Sequence, residues 1–236
     1  MNAPHANSYA QTYARWQADP HGFWSHVAQG LDWIEPPKTI FDPASGPYGR
    51  WFPDATCNTC FNALDRHVRD GRGQQTALIH DSPVTGTKAS WTYAQMLDEV
   101  STLAAVLQDL GVAKGDRVII YMPMVPEAAF AMLACARIGA VHSVVFGGFA
   151  AKELATRIDD ALPKVIMTAT CGIEPARVVE YKPLLDAAID IASHKPQTCL
   201  VLQRPQADAS MHVQRDKNWR TLVATARANG RKAECV

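Results

Sequence analysis

Two glycines follow a valine-rich segment and stand directly before a helical pattern, in the sequence Phe146-Gly147-Gly148-Phe149. Glycines at such a junction let a ligand approach the backbone closely, and free N–H groups in the turn can bind phosphate. A tight turn that needs glycine only for its backbone dihedral angles has the same sequence. The two glycines therefore predict either a ligand-binding turn or a purely structural one.

A second candidate site is the segment Cys171–Arg177, which follows the next strand pattern along the chain. The planar guanidinium of Arg177 is suited to binding a phosphate through parallel N–H donors. It is equally suited to an ion pair with Glu174, Glu180 or Asp186, which are close in sequence. The sequence leaves both roles open.

Cys57 and Cys60 have the C-x-x-C spacing of zinc and redox sites. A closed zinc site needs four ligands, and no second pair stands at a suitable distance. A redox pair would begin a helix in a thioredoxin-like unit, whereas the neighbouring sequence predicts a loop. A structural role is therefore favoured for both cysteines.

Other catalytic motifs are missing from the sequence. The eight histidines form no H-E-x-x-H or H-x-H cluster, and there is no G-x-S-x-G elbow or G-x-x-x-x-G-K-[ST] loop. We therefore predict no metal ligand and no catalytic residue among the positions present.

The composition is that of a soluble globular protein. The 236 residues contain 23 basic and 23 acidic side chains, so the formal net charge is zero, and 47% of the residues are hydrophobic. Such a chain is too apolar to be disordered, and it lacks the cationic surface that nucleic-acid binding needs. One local anion site remains compatible with neutrality.

Six dispersed cysteines and a polar N-terminus without a signal-peptide pattern predict reduced thiols and a cytoplasmic location. The long apolar segment 128–151 is interrupted by Arg137, whose burial in lipid would cost about 2.5–3.5 kcal/mol. A buried helix followed by a buried strand is the better interpretation, so no membrane partner is expected.

The remaining pattern predicts an α/β fold. Residues 9–34 are helical with a break at Asp19-Pro20, 35–56 form a proline-rich loop, 62–68 a short helix, and 77–80 with 90–93 a hairpin. Strands and helices then alternate: strands at 117–122, 140–146, 164–168 and 199–203, helices at 93–110, 126–138, 151–161, 184–192 and 221–229. The helix at 93–110 has one apolar face, and Thr92 and Gln95 have the spacing of a capping box at its start. The alternation of strands and helices predicts a parallel sheet flanked by helices, with ligands at the carboxyl ends of its strands.

Three consecutive segments carry a family resemblance: Tyr121–Ala128 (YMPMVPEA), Ala131–Gly139 (AMLACARIG) and Ala140–Phe149 (AVHSVVFGGF). Together they resemble the acetyl- and propionyl-CoA synthetases, which are adenylate-forming acyl-CoA ligases. The N-terminal part, with Phe23-Trp24, Leu31-Asp-Trp33 and the segment 58–66, resembles the extra N-terminal segment of these enzymes. The resemblance covers about residues 9–205.

The resemblance implies two regions. Residues 1–68 would be the acetyl-CoA-synthetase-type N-terminal segment, built of helices and loops. Residues 69–236 would be the first part of the AMP-binding domain, a partial N-terminal domain of the adenylate-forming fold that stops before the ATP phosphate loop.

The resemblance also implies that two loops lie along the path of CoA. These loops contain Phe146, Gly147, Gly148, Glu174, Pro175, Ala176 and Arg177. Arg177 would face the CoA phosphates. Glu174 departs from the acetate enzymes, which tend to have a second arginine at this position.

In the family, a carboxylate attacks ATP-Mg²⁺ to give acyl-AMP, and the thiol of CoA then displaces AMP. The phosphate loop ending in lysine, the ribose-binding aspartate and the mobile C-terminal lysine of the family are absent from this sequence. The chain is therefore expected to be inactive alone. Its expected partners are its own missing C-terminal part and further copies of itself in a homo-oligomer. Neither an ATP nor a Mg²⁺ site is expected here.

Four segments resemble the propionate enzymes more than the acetate enzymes: 81–86, 171–177, 181–183 and 194–196. Propionate is therefore the favoured acyl substrate. An acetate–CoA ligase, and a non-catalytic module that binds CoA or a protein partner, remain the alternatives.

Overall fold

The computed structural model describes residues 8–147 and 150–236, so Gly148 lies outside the described residues. The chain divides into two units, one ending at Asn58 and the other running from Thr59 to Val236. The boundary between residues 68 and 69 drawn from the family resemblance stays a prediction.

The first unit begins with two helices, α1 (Tyr9–Ala18) and α2 (Pro20–Ala28). The Asp19 carboxylate accepts a hydrogen bond from the Gly22 N–H at 2.9 Å, and Pro20 occupies the first helical position, so both residues favour a helix start. The predicted break at Asp19-Pro20 is thus confirmed.

The proline-rich loop of the first unit contains a short antiparallel pair that the sequence pattern did not predict. Strands β1 (Phe41–Asp42) and β2 (Arg50–Trp51) bring the rings of Phe41 and Trp51 to 4.7 Å between centroids. Each strand is only two residues long, which is too short for an alternating pattern to be visible.

The second unit opens with a helix over residues 59–72, so the short helix predicted at 62–68 is confirmed, and it contains two π-helical stretches, Phe61–Asp65 and Val68–Arg72. The hairpin of β3 (Thr76–Ser82) and β4 (Thr87–Thr92) follows, and then helix α3 (Tyr93–Asp109). Thr92 and Gln95 form the predicted capping box at the start of α3.

The rest of the second unit alternates strands and helices. The elements are β5 (Arg117–Tyr121), α4 (Pro126–Arg137), β6 (Val141–Val144), α5 (Ala151–Ala161), β7 (Val165–Ala169), β8 (Cys171–Glu174), β9 (Arg177–Glu180), α6 (Tyr181–Ile191), β10 (Thr198–Leu202), β11 (Asp216–Asn218) and α7 (Trp219–Ala228). Among the described residues, one sheet has the strand order β11-β10-β7-β5-β6, with every pair parallel.

Helices cover both faces of this sheet. On β5, Val118 and Ile120 join the apolar cluster of α3, α4 and α7, whereas Ile119 and Tyr121 join the cluster of α5 and α6. Alternate residues of one strand are therefore buried on opposite faces, as in other parallel sheets with helices on both sides. The predicted α/β class is confirmed.

Strand β6 differs from its prediction as a buried strand, because Val141 and Val144 are 53% and 52% exposed. The reason is topological: in the part of the chain that the structure describes, β6 is an edge strand that pairs only with β5. No helix among the described residues is long and apolar enough to span a bilayer. The segment 128–151 contains most of α4 and then β6.

Three strands of the second unit were not predicted: β8, β9 and β11. The loop Glu174–Arg177 is the turn of the hairpin β8–β9, whose four-residue strands are too short for a clear pattern. Strand β11 has the polar sequence Asp216-Lys217-Asn218, and it pairs with the sheet edge at β10 through its backbone. A polar edge strand of this length carries no hydrophobic signal.

Candidate functional site

A cavity of about 660 Å³ lies at the carboxyl ends of β5 and β6. Its wall includes the loop Met122–Pro126 after β5, Phe146 and Gly147 after β6, and Glu174 of the β8–β9 hairpin. The strand ends were the predicted location, since ligands bind there in parallel α/β sheets. Most of the wall is apolar, which suits an elongated ligand with an apolar part.

Tyr181, the first residue of α6, is part of the cavity wall. Its ring stacks on Tyr121 with centroids 5.0 Å apart and an interplanar angle of 26°. Only 8% of Tyr181 is exposed. Burial raises the pKa of Tyr121 to about 12, and burial followed by the nearby Glu174 carboxylate raises the pKa of Tyr181. Both phenols are therefore neutral at physiological pH.

The position of Tyr181 also explains why residues 147 and 172 are glycines. A Cβ added to Gly147 would overlap the Tyr181 hydroxyl, and one added to Gly172 would lie 2.8 Å from the ring. Gly147 does not have a positive φ, so the interpretation that its dihedral angles require glycine is wrong. Gly147 is needed because the tyrosine ring occupies the space beside its Cα.

The β8–β9 turn carries Glu174, Pro175, Ala176 and Arg177. Arg177 Nε donates to Glu174 Oε2 at 2.8 Å, so one of the two roles left open, the ion pair, is present. This hydrogen bond raises the pKa of Arg177. The side chains are 70% and 49% exposed, so water screens the pair and leaves both groups accessible to a ligand.

The structure brings together only part of the predicted site. Phe146, Gly147 and Glu174 share the cavity wall, whereas, among the described residues, Pro175, Ala176 and Arg177 lie outside it. Phe146 is 74% exposed, so its ring is available to a bound molecule.

The sequence pattern of AMP-binding enzymes matches residues 64–233, and that of the acetyl-coenzyme A synthetase N-terminus matches residues 9–63. The first match covers more than half of the chain. The chain belongs to the AMP-binding enzyme family.

Three relatives of this AMP-binding chain illustrate the similarity. The acyl-CoA synthetase short-chain family member 3, mitochondrial, of Homo sapiens is 45% identical over 100% of this chain. The acetyl-coenzyme A synthetase of Streptomyces coelicolor is 46% identical over 94%, and the propionate–CoA ligase of Salmonella typhimurium 44% over 91%. The chain spans about a third of the length of these relatives.

Arg204 is a candidate residue of this AMP-binding chain that sequence reasoning missed. Its Nη1 donates to the Cys171 carbonyl at 2.9 Å, and its backbone N–H donates to Thr170 Oγ1 at 3.0 Å. It therefore anchors the start of the β8–β9 hairpin and is also part of the cavity wall. The position of Arg204 shortly after β10 is a signal that could have found it, because that strand also ends at the ligand-binding edge.

The packing of Tyr181 predicts the outcome of Gly147→Ala. The added methyl group overlaps a buried ring, so we expect a loss of about 1–3 kcal/mol in the free energy of unfolding, measured by urea denaturation. Gly73→Ala is the matched control, because a Cβ there would lie 3.7 Å from its nearest neighbours. Equal urea midpoints for wild type and Gly147→Ala would contradict the role assigned to Tyr181.

Proposed function

We propose that the chain corresponds to the N-terminal third of a short-chain acyl-CoA synthetase. The supporting observation is the succession of the two matches, the acetyl-coenzyme A synthetase N-terminus followed directly by the AMP-binding region. The whole protein would use ATP and Mg²⁺ to convert a short carboxylic acid to acyl-AMP. It would then transfer the acyl group to the thiol of CoA.

In this proposal the described residues contribute the CoA side. The apolar cavity of about 660 Å³ has the size and lining of a site for the pantetheine part of CoA. Arg204 in its wall and Arg177 on the neighbouring turn supply guanidinium groups that can bind phosphate or pyrophosphate oxygens. The exposed ring of Phe146 would pack against the ligand at the other side of the cavity.

We favour propionate as the acid. The argument rests on the segments 81–86, 171–177, 181–183 and 194–196, which resemble propionate enzymes. Overall identity does not separate the alternatives, because it is 46% to the acetyl-coenzyme A synthetase and 44% to the propionate–CoA ligase. The test is acyl-CoA formation by the whole gene product with propionate or acetate, ATP, Mg²⁺ and CoA.

Several outcomes of this assay are informative. A higher kcat/KM with propionate supports the proposal, and a higher kcat/KM with acetate identifies an acetate–CoA ligase instead. Absence of acyl-CoA with either acid, together with CoA binding, favours the non-catalytic module. The 236-residue chain alone is expected to show no turnover, and measurable turnover would contradict that expectation.

The ion pair at the β8–β9 turn predicts opposite effects for its two members on CoA affinity. Arg177→Ala removes a phosphate donor and is expected to weaken CoA binding about tenfold in titration calorimetry. Glu174→Gln removes the carboxylate charge that pairs with Arg177. It is therefore expected to strengthen CoA binding about threefold or more.

A control and a second ligand make this experiment specific. Arg231→Ala removes an exposed, ion-paired arginine on another part of the unit and should leave CoA affinity unchanged. Comparing CoA with 3′-dephospho-CoA tells which phosphate Arg177 contacts. Equal affinities of wild type, Arg177→Ala and Glu174→Gln would remove the turn from the site.

A further inference from the structure

Two cysteines from distant parts of the sequence meet in the second unit. Cys60, at the start of the first π-helical turn, is buried, and Cys235 is half-buried. Their sulfur atoms and a carboxylate oxygen of Asp65 all lie within 4.8 Å of one another. Cys235 Sγ also donates to Asp65 Oδ2 at 3.8 Å. The pair is therefore preassembled in the reduced protein.

The neighbouring charges make the two thiols unequal. Arg137 Nη1 donates to Cys60 Sγ at 3.7 Å. The hydrogen bond from Cys235, opposed by burial and reinforced by Arg137, lowers the pKa of Cys60. The contact with Cys60 and burial raise the pKa of Cys235. Cys60 thus has the greater thiolate character, and Cys235 retains its proton.

A bound metal ion fits this cluster poorly. Both carboxylate oxygens of Asp65 already accept hydrogen bonds from Arg137, at 2.8 and 3.0 Å. A guanidinium beside Cys60 also repels a cation, and three ligands are one fewer than a closed zinc site requires. The same positive charge favours a thiolate, which is the reactive form in thiol oxidation.

We propose that Cys60 and Cys235 form a reversible disulfide when the protein meets a small peroxide. The Cys60 thiolate attacks one oxygen of hydrogen peroxide, the O–O bond breaks, and a sulfenic acid and hydroxide form, the hydroxide becoming water on protonation. The Cys235 sulfur then attacks the sulfenic sulfur, the S–O bond breaks, and a second water leaves with the Cys235 proton. The two thiols lose two electrons in total, and the peroxide is reduced to two water molecules.

The cross-link would join residue 60 to a segment already bound to the helical layer. The Ala233 N–H donates to the Ser101 carbonyl at 3.0 Å, and the Val236 N–H to the Arg137 carbonyl at 3.1 Å. Cys60 is buried, whereas Cys235 is half-buried and the neighbouring Glu234 side chain is 92% exposed, so a small oxidant has to approach the pair from the Cys235 side. A disulfide here closes a long loop, which stabilises the folded state relative to the unfolded chain.

Peptide mapping of the folded chain tests the pair directly. The chain is treated with hydrogen peroxide, remaining thiols are blocked with N-ethylmaleimide, and cleavage after lysine and arginine is followed by mass spectrometry without reductant. Cys60 falls in peptide 51–66 and Cys235 in peptide 233–236. We expect these two peptides joined and lighter by two hydrogen atoms, and a higher Tm that dithiothreitol reverses.

Variants separate Cys60 from Cys57, which is exposed and shares the same peptide. The cross-link should persist in Cys57→Ser and disappear in Cys60→Ser and in Cys235→Ser. Oxidation in urea is the control for folding, and it should give mixed pairings among the six cysteines. A link that requires Cys57, or no link between the two peptides in the folded protein, would overturn the proposal. Neither result bears on CoA binding, which depends on the cavity at the strand ends.

Discussion

Arg137→Met is expected to lower the free energy of unfolding by about 3–5 kcal/mol. The Arg137 side chain is only 3% exposed, and it donates to both oxygens of Asp65, at 2.8 and 3.0 Å. It also donates through Nε to the Ala233 carbonyl at 2.5 Å. Methionine fills much of the same volume but leaves the largely buried Asp65 carboxylate without its cation, and this unpaired charge is the source of the loss.

Urea unfolding followed by circular dichroism measures the effect of Arg137→Met. Arg231→Met is the matched control, because its partner Asp109 and Arg231 itself are 51% and 50% exposed, and its urea midpoint should stay close to that of the wild type. The double variant Arg137→Met/Asp65→Leu removes both charges and should recover part of the stability. If Arg137→Met and Arg231→Met unfold at the same urea concentration, the buried pair does not stabilise the unit.

The ion pair between Arg137 and Asp65 could not be predicted from the sequence. The charge of Arg137 was enough to argue against a membrane span, because a charge in lipid is costly whatever its partner. Its partner Asp65 stands 72 positions earlier, and no periodic pattern connects the two residues. Contacts of this kind form only when the elements pack against one another, so they appear first in the structure.

Local signals, in contrast, were sufficient for most of the second unit. The capping box of Thr92 and Gln95 and the apolar face of α3 depend on neighbouring residues, and both are present as predicted. The hairpin β8–β9 and strand β11 were not predicted, because their strands are only four and three residues long. Short strands are defined by backbone pairing to a partner, which the sequence does not display.

The location of the candidate site in the fold could be predicted from the sequence, but the packing of its side chains could not. The alternation of strands and helices predicted a parallel sheet with ligands at the carboxyl ends of its strands, and Phe146, Gly147 and Glu174 do share a cavity there. The reason for glycine at position 147 is the ring of Tyr181, which is 34 positions further along the chain, at the start of α6. A family resemblance identifies such a position without giving its physical cause.

A second buried charge cluster supports α6, the helix that begins with Tyr181. Lys182 Nζ, 1% exposed, lies 2.8 Å from an oxygen of Asp216, whose side chain is fully buried. Arg215 Nε donates to the other Asp216 oxygen at 2.7 Å. Asp186 binds the same two cations, with 2.7 Å to Lys182 and 2.5 Å to Arg215, and His212 lies 3.8 Å from it. The cluster ties α6 to the sheet edge at β11.

Asp216→Asn is expected to lower the free energy of unfolding at neutral pH by about 3–5 kcal/mol. The substitution keeps the shape of the side chain but leaves Lys182 and Arg215 with Asp186 as their shared carboxylate. Urea unfolding at pH 7 measures the loss, and Asp109→Asn, in an exposed pair with Arg231, is the control and should change the midpoint little. Equal losses in the two variants would contradict a stabilising role for the buried cluster.

The effect of Asp216→Asn on the free energy of unfolding should also depend on pH. Burial alone would raise the pKa of Asp216, but hydrogen bonds from Arg215 and Lys182 outweigh it and hold the pKa below its ordinary value. A carboxylate with a lowered folded-state pKa stabilises fully above its unfolded pKa of about 3.9, and this contribution is lost as the pH falls through the folded-state value. The difference in unfolding free energy between wild type and Asp216→Asn should therefore be constant from pH 7 to about pH 5 and shrink below about pH 4. A difference that stays constant down to the acid transition would show that the charge of Asp216 is not what the buried cluster requires.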